Sequence, residues 1–230
     1  MKVLAVIPAR GGSKRIPRKN IKIFCGKPII QYSIEAAENS GIFDEIMVST
    51  EDEEIASISK SLGGKVPFLR SAVTADSKAN HVDVLAEVIE EYEKRGMMFD
   101  SVCFILSTAP FVTPERIKQA YQVLTETKAD GVIPVVQFGY PIQRALSIKD
   151  NQLTMIWPEN ILKHSQDLQP SYHDSGQFYW LDVKSFKKQK KFFPKNAASL
   201  ILPESEVQDI DTEEDWKIAE MKYKILRDIK

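Results

Sequence analysis

Apolar residues along the chain fall into two alternating rhythms. Val3–Ile7 is an unbroken apolar run closed by Pro8, which predicts a strand covered on both faces. Pro28–Asn39 switches to helical spacing, with Ile29, Ile30, Ser33, Ile34 and Ala37 on one side. Pro28 suits its first turn and Gly41 its stop. Glu45–Ser49 predicts a second strand, and Thr50-Glu51-Asp52-Glu53 a capping box for a helix ending at Gly63-Gly64. Asn80–Arg95 sets Val84, Leu85, Val88, Ile89 and Tyr92 on one helical face before Gly96. Ser101–Leu106 predicts a buried strand, and Thr113-Pro114 opens a helix to Glu126. Gly131–Val136 predicts another strand, in which Pro134 asks for an edge or an irregular position. From Thr212 a last helix places Trp216, Ala219, Tyr223 and Leu226 in register.

This alternation predicts one α/β domain over residues 1–230, with a mainly parallel sheet flanked by helices. Residues 139–175 break the rhythm with Pro141, Pro158, Pro170 and two of the three histidines. Compact domains seldom carry such a stretch without a use. It reads as an insertion that leaves the sheet for association.

Composition narrows the class. With 43% hydrophobic and 27% charged residues, the chain is ordinary for a soluble globular protein. No stretch approaches the roughly 18 apolar residues of a membrane span. The opening MKVLAVIPARGG carries too short an apolar run for a signal peptide and ends in a basic loop. Cys25 and Cys103 form no CxxC pair, which fits a reducing cytoplasm and argues against structural zinc; both read as buried small apolar residues.

The formal net charge of −1 hides an asymmetry. Residues 1–34 hold eight basic groups and no acid, while the rest holds 23 basic against 32 acidic groups. A basic head on an acidic body suggests an anion site and weighs against a nucleic-acid binder. Six of those cations (Arg10, Lys14, Arg15, Arg18, Lys19 and Lys22) crowd one loop after the first strand, where open α/β sheets bind ligands. Gly11 and Gly12 allow backbone N–H groups close to oxygens, and Arg10, Lys14 and Lys19 offer charged donors to phosphate. The cations are expected to repel one another unless a polyanion is bound. No GxxxxGK[ST], GxGxxG, HExxH or GxSxG motif is present.

Ala9-Arg10-Gly11-Gly12-Ser13-Lys14 with Lys19-Asn20 resembles the signature of the CMP-sialic acid synthetase (acylneuraminate cytidylyltransferase) family. Further matches run along nearly the whole chain. Gln166 to Trp180 and Ser107-Thr108-Ala109-Pro110-Phe111 are most similar to the pseudaminic acid cytidylyltransferase branch. The resemblance implies a Rossmann-like nucleotidyltransferase fold in which 139–175 makes a homodimer and contributes to the neighbouring site. The implied reaction moves CMP from CTP to a nine-carbon 2-keto sugar acid with Mg²⁺ and releases pyrophosphate. N-acetylneuraminic or legionaminic acid is the alternative acceptor, and a non-catalytic nucleotide-binding module the alternative class.

The implied roles follow residue by residue. Ala9, Arg10, Gly11, Gly12, Ser13, Asn20, Arg70 and Asn80 would hold the nucleotide. Arg10, Lys14, Lys19 and Asp211 would be catalytic. Lys163, Gln166, Asp167 and Tyr172 would bind the sugar, and Asp209 and Asp211 the metal. Two carboxylates at i and i+2 on an extended segment point the same way, as a hard cation requires. Asp211 also suits the cap of the final helix, Asn80 that of its own helix, and Arg70 a plain surface position. His81 reads as structural. The family's arginine ahead of Gln166-Asp167 is absent; Lys163, His164 and Ser165 stand there. No nucleic acid, no membrane and a cytoplasmic location complete the expectations.

Overall fold

The computed structural model describes residues 1–76 and 79–228. In chain order the elements are β1 (Val3–Pro8), the short hairpin β2 (Ile23–Phe24) and β3 (Lys27–Pro28), α1 (Ile29–Ser40), β4 (Glu45–Ser49), α2 (Glu53–Ser61), α3 (Ala72–Ala75) and α4 (His81–Lys94). There follow β5 (Ser101–Ile105), α5 (Pro114–Thr127), β6 (Gly131–Gln137), the hairpin β7 (Leu146–Lys149) and β8 (Gln152–Met155), and β9 (Tyr172–Asp174). The chain closes with β10 (Phe178–Asp182), α6 (Val183–Gln189), β11 (Ala197–Ile201) and α7 (Glu213–Asp228).

The main sheet runs β11-β6-β10-β5-β1-β4, and β9 also pairs with β6. β1 is parallel to β4 and β5, and β11 to β6. β10 enters antiparallel between β5 and β6. Five of the seven strands thus point one way, and their carboxyl ends gather the loops of the site on one edge. β6 is interior, so Pro134 does not mark an edge. It lies where β6 changes partner from β10, at Val132, to β9, at Val135. Its carbonyl accepts from Ser175 at 3.0 Å, and its missing N–H falls on the same side, in the gap between the two partners.

Side-chain alternation sorts the core into two layers. Val3, Ala5 and Ile7 of β1 pack with α1 and α5 through Ile30, Ile34, Ile117, Ala120 and Leu124. Leu4 and Val6 face α4 and α6 through Val84, Leu85, Val88, Ile89 and Phe186. A third, aromatic cluster docks α7: Trp216 and Ala219 pack with Phe24, Tyr32 and Phe111.

Caps account for most helix boundaries. Asn80 caps α4, accepting from Val82 N–H at 2.8 Å and Asp83 N–H at 3.1 Å, while Asp83 answers the Asn80 N–H. Thr113 caps α5. At α2 the cap is Asp52, not Thr50: Asp52 accepts from Ile55 N–H at 3.0 Å, and Thr50 Oγ1 accepts from Asp52 N–H at 3.1 Å. The carbonyl of Thr50 is taken by the Arg70 N–H, so it does not accept the first helical bond.

The segment after β6 leaves the sheet and builds its own hairpin, turning through Asp150 and Asn151 at positive φ. Its last strand, β9, rejoins the main sheet, with Tyr172 opposite Gln137. Only 139–171 therefore stand away from it. Among the described residues, no helix is long and apolar enough to cross a membrane.

Candidate active site

The loop between β1 and β2 is stapled rather than self-repelling. Arg18, in left-handed backbone, grips Asp52 at 2.5 and 2.9 Å and also meets Glu54. That pairing holds the Asp52 carboxyl down to about 2. Arg15 reaches Asp211 at 2.8 Å, and Lys22 reaches Glu213 at 2.8 Å while lying over Trp216. Lys19 donates to the Ile210 carbonyl at 2.6 Å and lies 3.5 Å from Asp211. Four of the six cations are thus compensated by acids from elsewhere in the chain, so no bound polyanion is needed to hold them. Arg10 and Lys14 remain, both exposed and with no side-chain hydrogen bond or ion pair among the described residues.

The two loop glycines serve different ends. The N–H of Gly11 is already taken by Glu51 Oε1 at 2.7 Å. A Cβ on Gly11 would stand 2.4 Å from Asp52 Oδ2, so this glycine is required by the packed β4–α2 turn. Gly12 meets nothing within 4 Å of such a Cβ, and its N–H has no acceptor among the described residues. Asn20, 7% exposed, braces the loop from within: its Nδ2 donates to the Arg10 carbonyl at 2.7 Å, and its Oδ1 accepts from Ser107 at 2.9 Å.

Arg70 is 9% exposed, not a surface arginine. Its guanidinium donates to the Ser49 carbonyl at 2.6 Å and to Ser49 Oγ at 3.2 Å. Burial lowers its pKa, partly offset by the charge of Glu51. Next to it His81, first residue of α4, sets its ring against Phe104 and Phe192. Desolvation and then Arg70 push that imidazole down, which keeps it neutral. Asn80 spends its side-chain oxygen on the α4 cap.

Asp209 and Asp211 reach this edge from the strand-to-helix connection before α7. Asp211 does not cap that helix. Thr212 Oγ1 accepts the Asp215 N–H, and Asp215 returns bonds to the N–H groups of Asp211 and Thr212. The Asp211 carboxylate is thereby left to Arg15 and Lys19. Asp209 has no ion pair among the described residues; the surrounding protein and then Asp211 raise its pKa, against Lys19 and the Ile210 N–H. Beside it, Tyr179 donates to Asp174 at 2.5 Å and Gly176 N–H to the same carboxylate at 3.0 Å. Burial first, and Asp174 next, drive the Tyr179 phenol well up.

In the projecting segment Gln166 and Asp167 are exposed on a short 3-10 turn, with no side-chain bond among the described residues. Tyr172 is 42% exposed on β9. Lys163 donates to Asn160 at 2.9 Å. No sequence pattern pointed to Arg144, whose guanidinium donates to the Lys163 carbonyl and whose Nε is buried without an acceptor among the described residues. It brings a planar cation beside Lys163, His164 and Ser165, where the sequence lacks an arginine. Glu51, Asp52 and Asp174 were likewise absent from the expected site; only the acid-rich turn after β4 signalled the first two.

The profile of the cytidylyltransferase family matches residues 4–223. A pseudaminic acid cytidylyltransferase from Campylobacter jejuni is 41% identical over 226 residues, 98% of this chain and 97% of the relative. A CMP-N,N'-diacetyllegionaminic acid synthase from Legionella pneumophila is 34% identical, covering 96% of this chain and 95% of the relative. In fold, a CMP:2-keto-3-deoxy-manno-octonic acid synthetase complexed with CTP superposes with a TM-score of 0.71 at 16% identity, covering 99% of this chain and all of that one. With matches of this extent, the chain belongs to the cytidylyltransferase family.

Proposed function

We propose that the enzyme transfers CMP from CTP to the 2-hydroxyl of pseudaminic acid, a nine-carbon 2-keto sugar acid, and releases pyrophosphate. The observation that carries this is the pair of unpaired cations, Arg10 and Lys14, on an otherwise ion-paired loop that docks beside Asp209 and Asp211. Nucleotidyl transfer depends on positioning and charge neutralisation. Arg10, Lys14 and Lys19 take the triphosphate, with the free N–H of Gly12 and the Ala9–Ser13 backbone around it. Lys14, having no other partner among the described residues, meets the charge that develops on the leaving pyrophosphate. Arg70 and Asn20 flank the nucleoside.

The donor set fits Mg²⁺. Asp209 and Asp211 are hard oxygen ligands whose mutual repulsion a cation relieves. Among the described residues no group of three or more metal-ligating side chains forms, so Asp209 and Asp211 are the side chains that would hold the ion. Held by Asp209 and Asp211, the ion would supply charge neutralisation at the phosphates and would ease deprotonation of the sugar hydroxyl. Asp209, the less committed of the two carboxylates, would accept that proton.

For the sugar, Arg144 and Lys163 offer two cations without an acidic partner among the described residues, suited to a carboxylate. Gln166, Asp167 and Tyr172 face solvent beside them. The same projecting segment exposes Leu146, Ile148, Leu153, Ile161 and Leu162, at 53% to 91%, an apolar surface suited to a homodimer. Pseudaminic acid is preferred on the similarity to the Campylobacter jejuni enzyme.

Pyrophosphate release with CTP, Mg²⁺ and pseudaminic, legionaminic or N-acetylneuraminic acid in parallel tests the proposal. The highest kcat/KM is expected with pseudaminic acid. A preference for another acid overturns the sugar assignment, and no turnover with any of them overturns the reaction.

A further inference from the structure

The acid that follows β4 stands where an anion belongs. Glu51 Oε1 takes the Gly11 N–H at 2.7 Å, inside the loop assigned above to the triphosphate. Its other oxygen, Oε2, is buried and meets no hydrogen-bond donor among the described residues. A buried carboxylate oxygen without a donor is a costly arrangement. No ion pair offsets it among the described residues, although its charge is felt by Arg70. Nor is the turn free to drift. The next residue, Asp52, presses on Gly11, caps α2 and is held by Arg18. Glu51 is therefore fixed against the loop by its own backbone.

A backbone N–H serves one anionic acceptor well. A phosphate oxygen at Gly11 either displaces Glu51 or lies beside its charge, and both weaken the hold on the anion. We propose that Glu51 is an internal counter-anion of this loop: a positioning residue that opposes polyphosphate at Gly11 and shortens the stay of the pyrophosphate product. The inference rests on the reading of the loop as a triphosphate site. It explains why a uniformly basic loop is given a carboxylate at one of its few backbone donors. Tight ground-state binding does not speed chemistry, and slow product release limits many enzymes.

The test measures inorganic pyrophosphate and CTP binding to the full chain by calorimetry. Glu51→Gln keeps the size of the side chain and an acceptor for Gly11 while removing the charge. Glu54→Gln removes the same charge from the solvent side of Arg18 and serves as control. Glu51→Gln should bind pyrophosphate about tenfold tighter, with the gain shrinking as salt rises. KM for CTP and kcat should both fall, and Glu54→Gln should match the wild type in affinity. A strut would give the opposite sign, since loosening the loop weakens anion binding. Glu51→Ala, checked by thermal melting for an intact fold, should also tighten it. Unchanged or weaker pyrophosphate binding in both Glu51 variants overturns the assignment. A wild-type chain that binds neither pyrophosphate nor CTP overturns the triphosphate reading itself and the Glu51 inference with it.

Discussion

Alanine in place of Gly11 and alanine in place of Gly12 should behave very differently, although the two glycines are adjacent in one loop. Neither needs a positive φ, so the contrast is purely one of space. At position 11 the new methyl would stand 2.4 Å from Asp52 Oδ2 and 3.1 Å from both Asp52 Cβ and Cγ. Turning the carboxylate aside does not clear the contact, because Cβ stays, so Asp52 has to shift as a whole. That shift loosens the α2 cap, worth about 1 kcal/mol. It also loosens the Arg18 pair. The fall of the Asp52 carboxyl from 3.8 to about 2, led by Arg18 and shared with the Ile55 N–H of the cap, corresponds to about 2 kcal/mol for pair and cap together, and the 37% exposure of the Arg18 side chain leaves about 1 of it to the pair. Gly11→Ala should therefore lose about 2 kcal/mol, a fall in Tm of roughly 4–8 °C for a chain of this length. Gly12→Ala should melt with the wild type.

The pH dependence has a definite sign. A depressed carboxyl contributes fully above its ordinary pKa and loses that contribution as pH falls toward its folded value. The gap between Gly11→Ala and wild type should hold at neutral pH and narrow below about pH 4. Thermal melts of the two variants in ligand-free buffer, repeated on acidification, measure this. Equal melting of both variants at pH 7 would show that Asp52 yields at no cost, and the packing argument would fall.

Three further outcomes follow from the site. Lys14→Ala, which removes a cation with no partner among the described residues, should keep its Tm and lose about two orders of magnitude in kcat; near-normal turnover would take Lys14 out of the reaction. Thr212→Ala should cost about 1 kcal/mol of stability and leave the Mg²⁺ titration of activity unchanged, whereas Asp211→Asn should shift that titration; an unmoved titration in Asp211→Asn confines the residue to pairing with Arg15 and Lys19. Leu162→Asp, at a side chain 91% exposed, should yield a monomer of unchanged Tm by light scattering, and a persisting dimer would place the interface elsewhere.

Much of the fold was legible because the core-facing rhythm is strong. VLAVI, the α4 face and the Trp216 face each fix an element by apolar spacing alone. Weaker signals hid others. β11 reads AASLI, with small residues and alternate exposure, and α6 carries only Val183 and Phe186 toward the core. The place of β10 was not legible either: a buried aromatic run says strand, but not which neighbours or which direction. At the site the loop announced itself by charge, yet its compensation did not. Arg18 finds Asp52 34 positions away, and Arg15 finds Asp211 196 positions away. Thr212 relieved Asp211 of capping through a bond to Asp215 that the spacing T-x-x-D could have suggested. Arg144 was invisible because its meeting with Lys163 depends on how the projecting segment folds back.

That segment leaves and re-enters the sheet at a narrow neck. Gln137 and Tyr172 are register partners, and the Phe138 N–H bonds to the Ser171 carbonyl at 2.9 Å. Between these points the chain can lengthen, shorten or change its side chains without moving any strand of the main sheet. The described fold is thus divided into a sheet-bearing frame and a segment joined to it at one neck. Residues 139–170 could be transplanted between relatives at this neck, and on the proposed assignment the exchange would move Lys163, Gln166 and Asp167 of the sugar site and the proposed subunit contact while the loop after β1 stays in place.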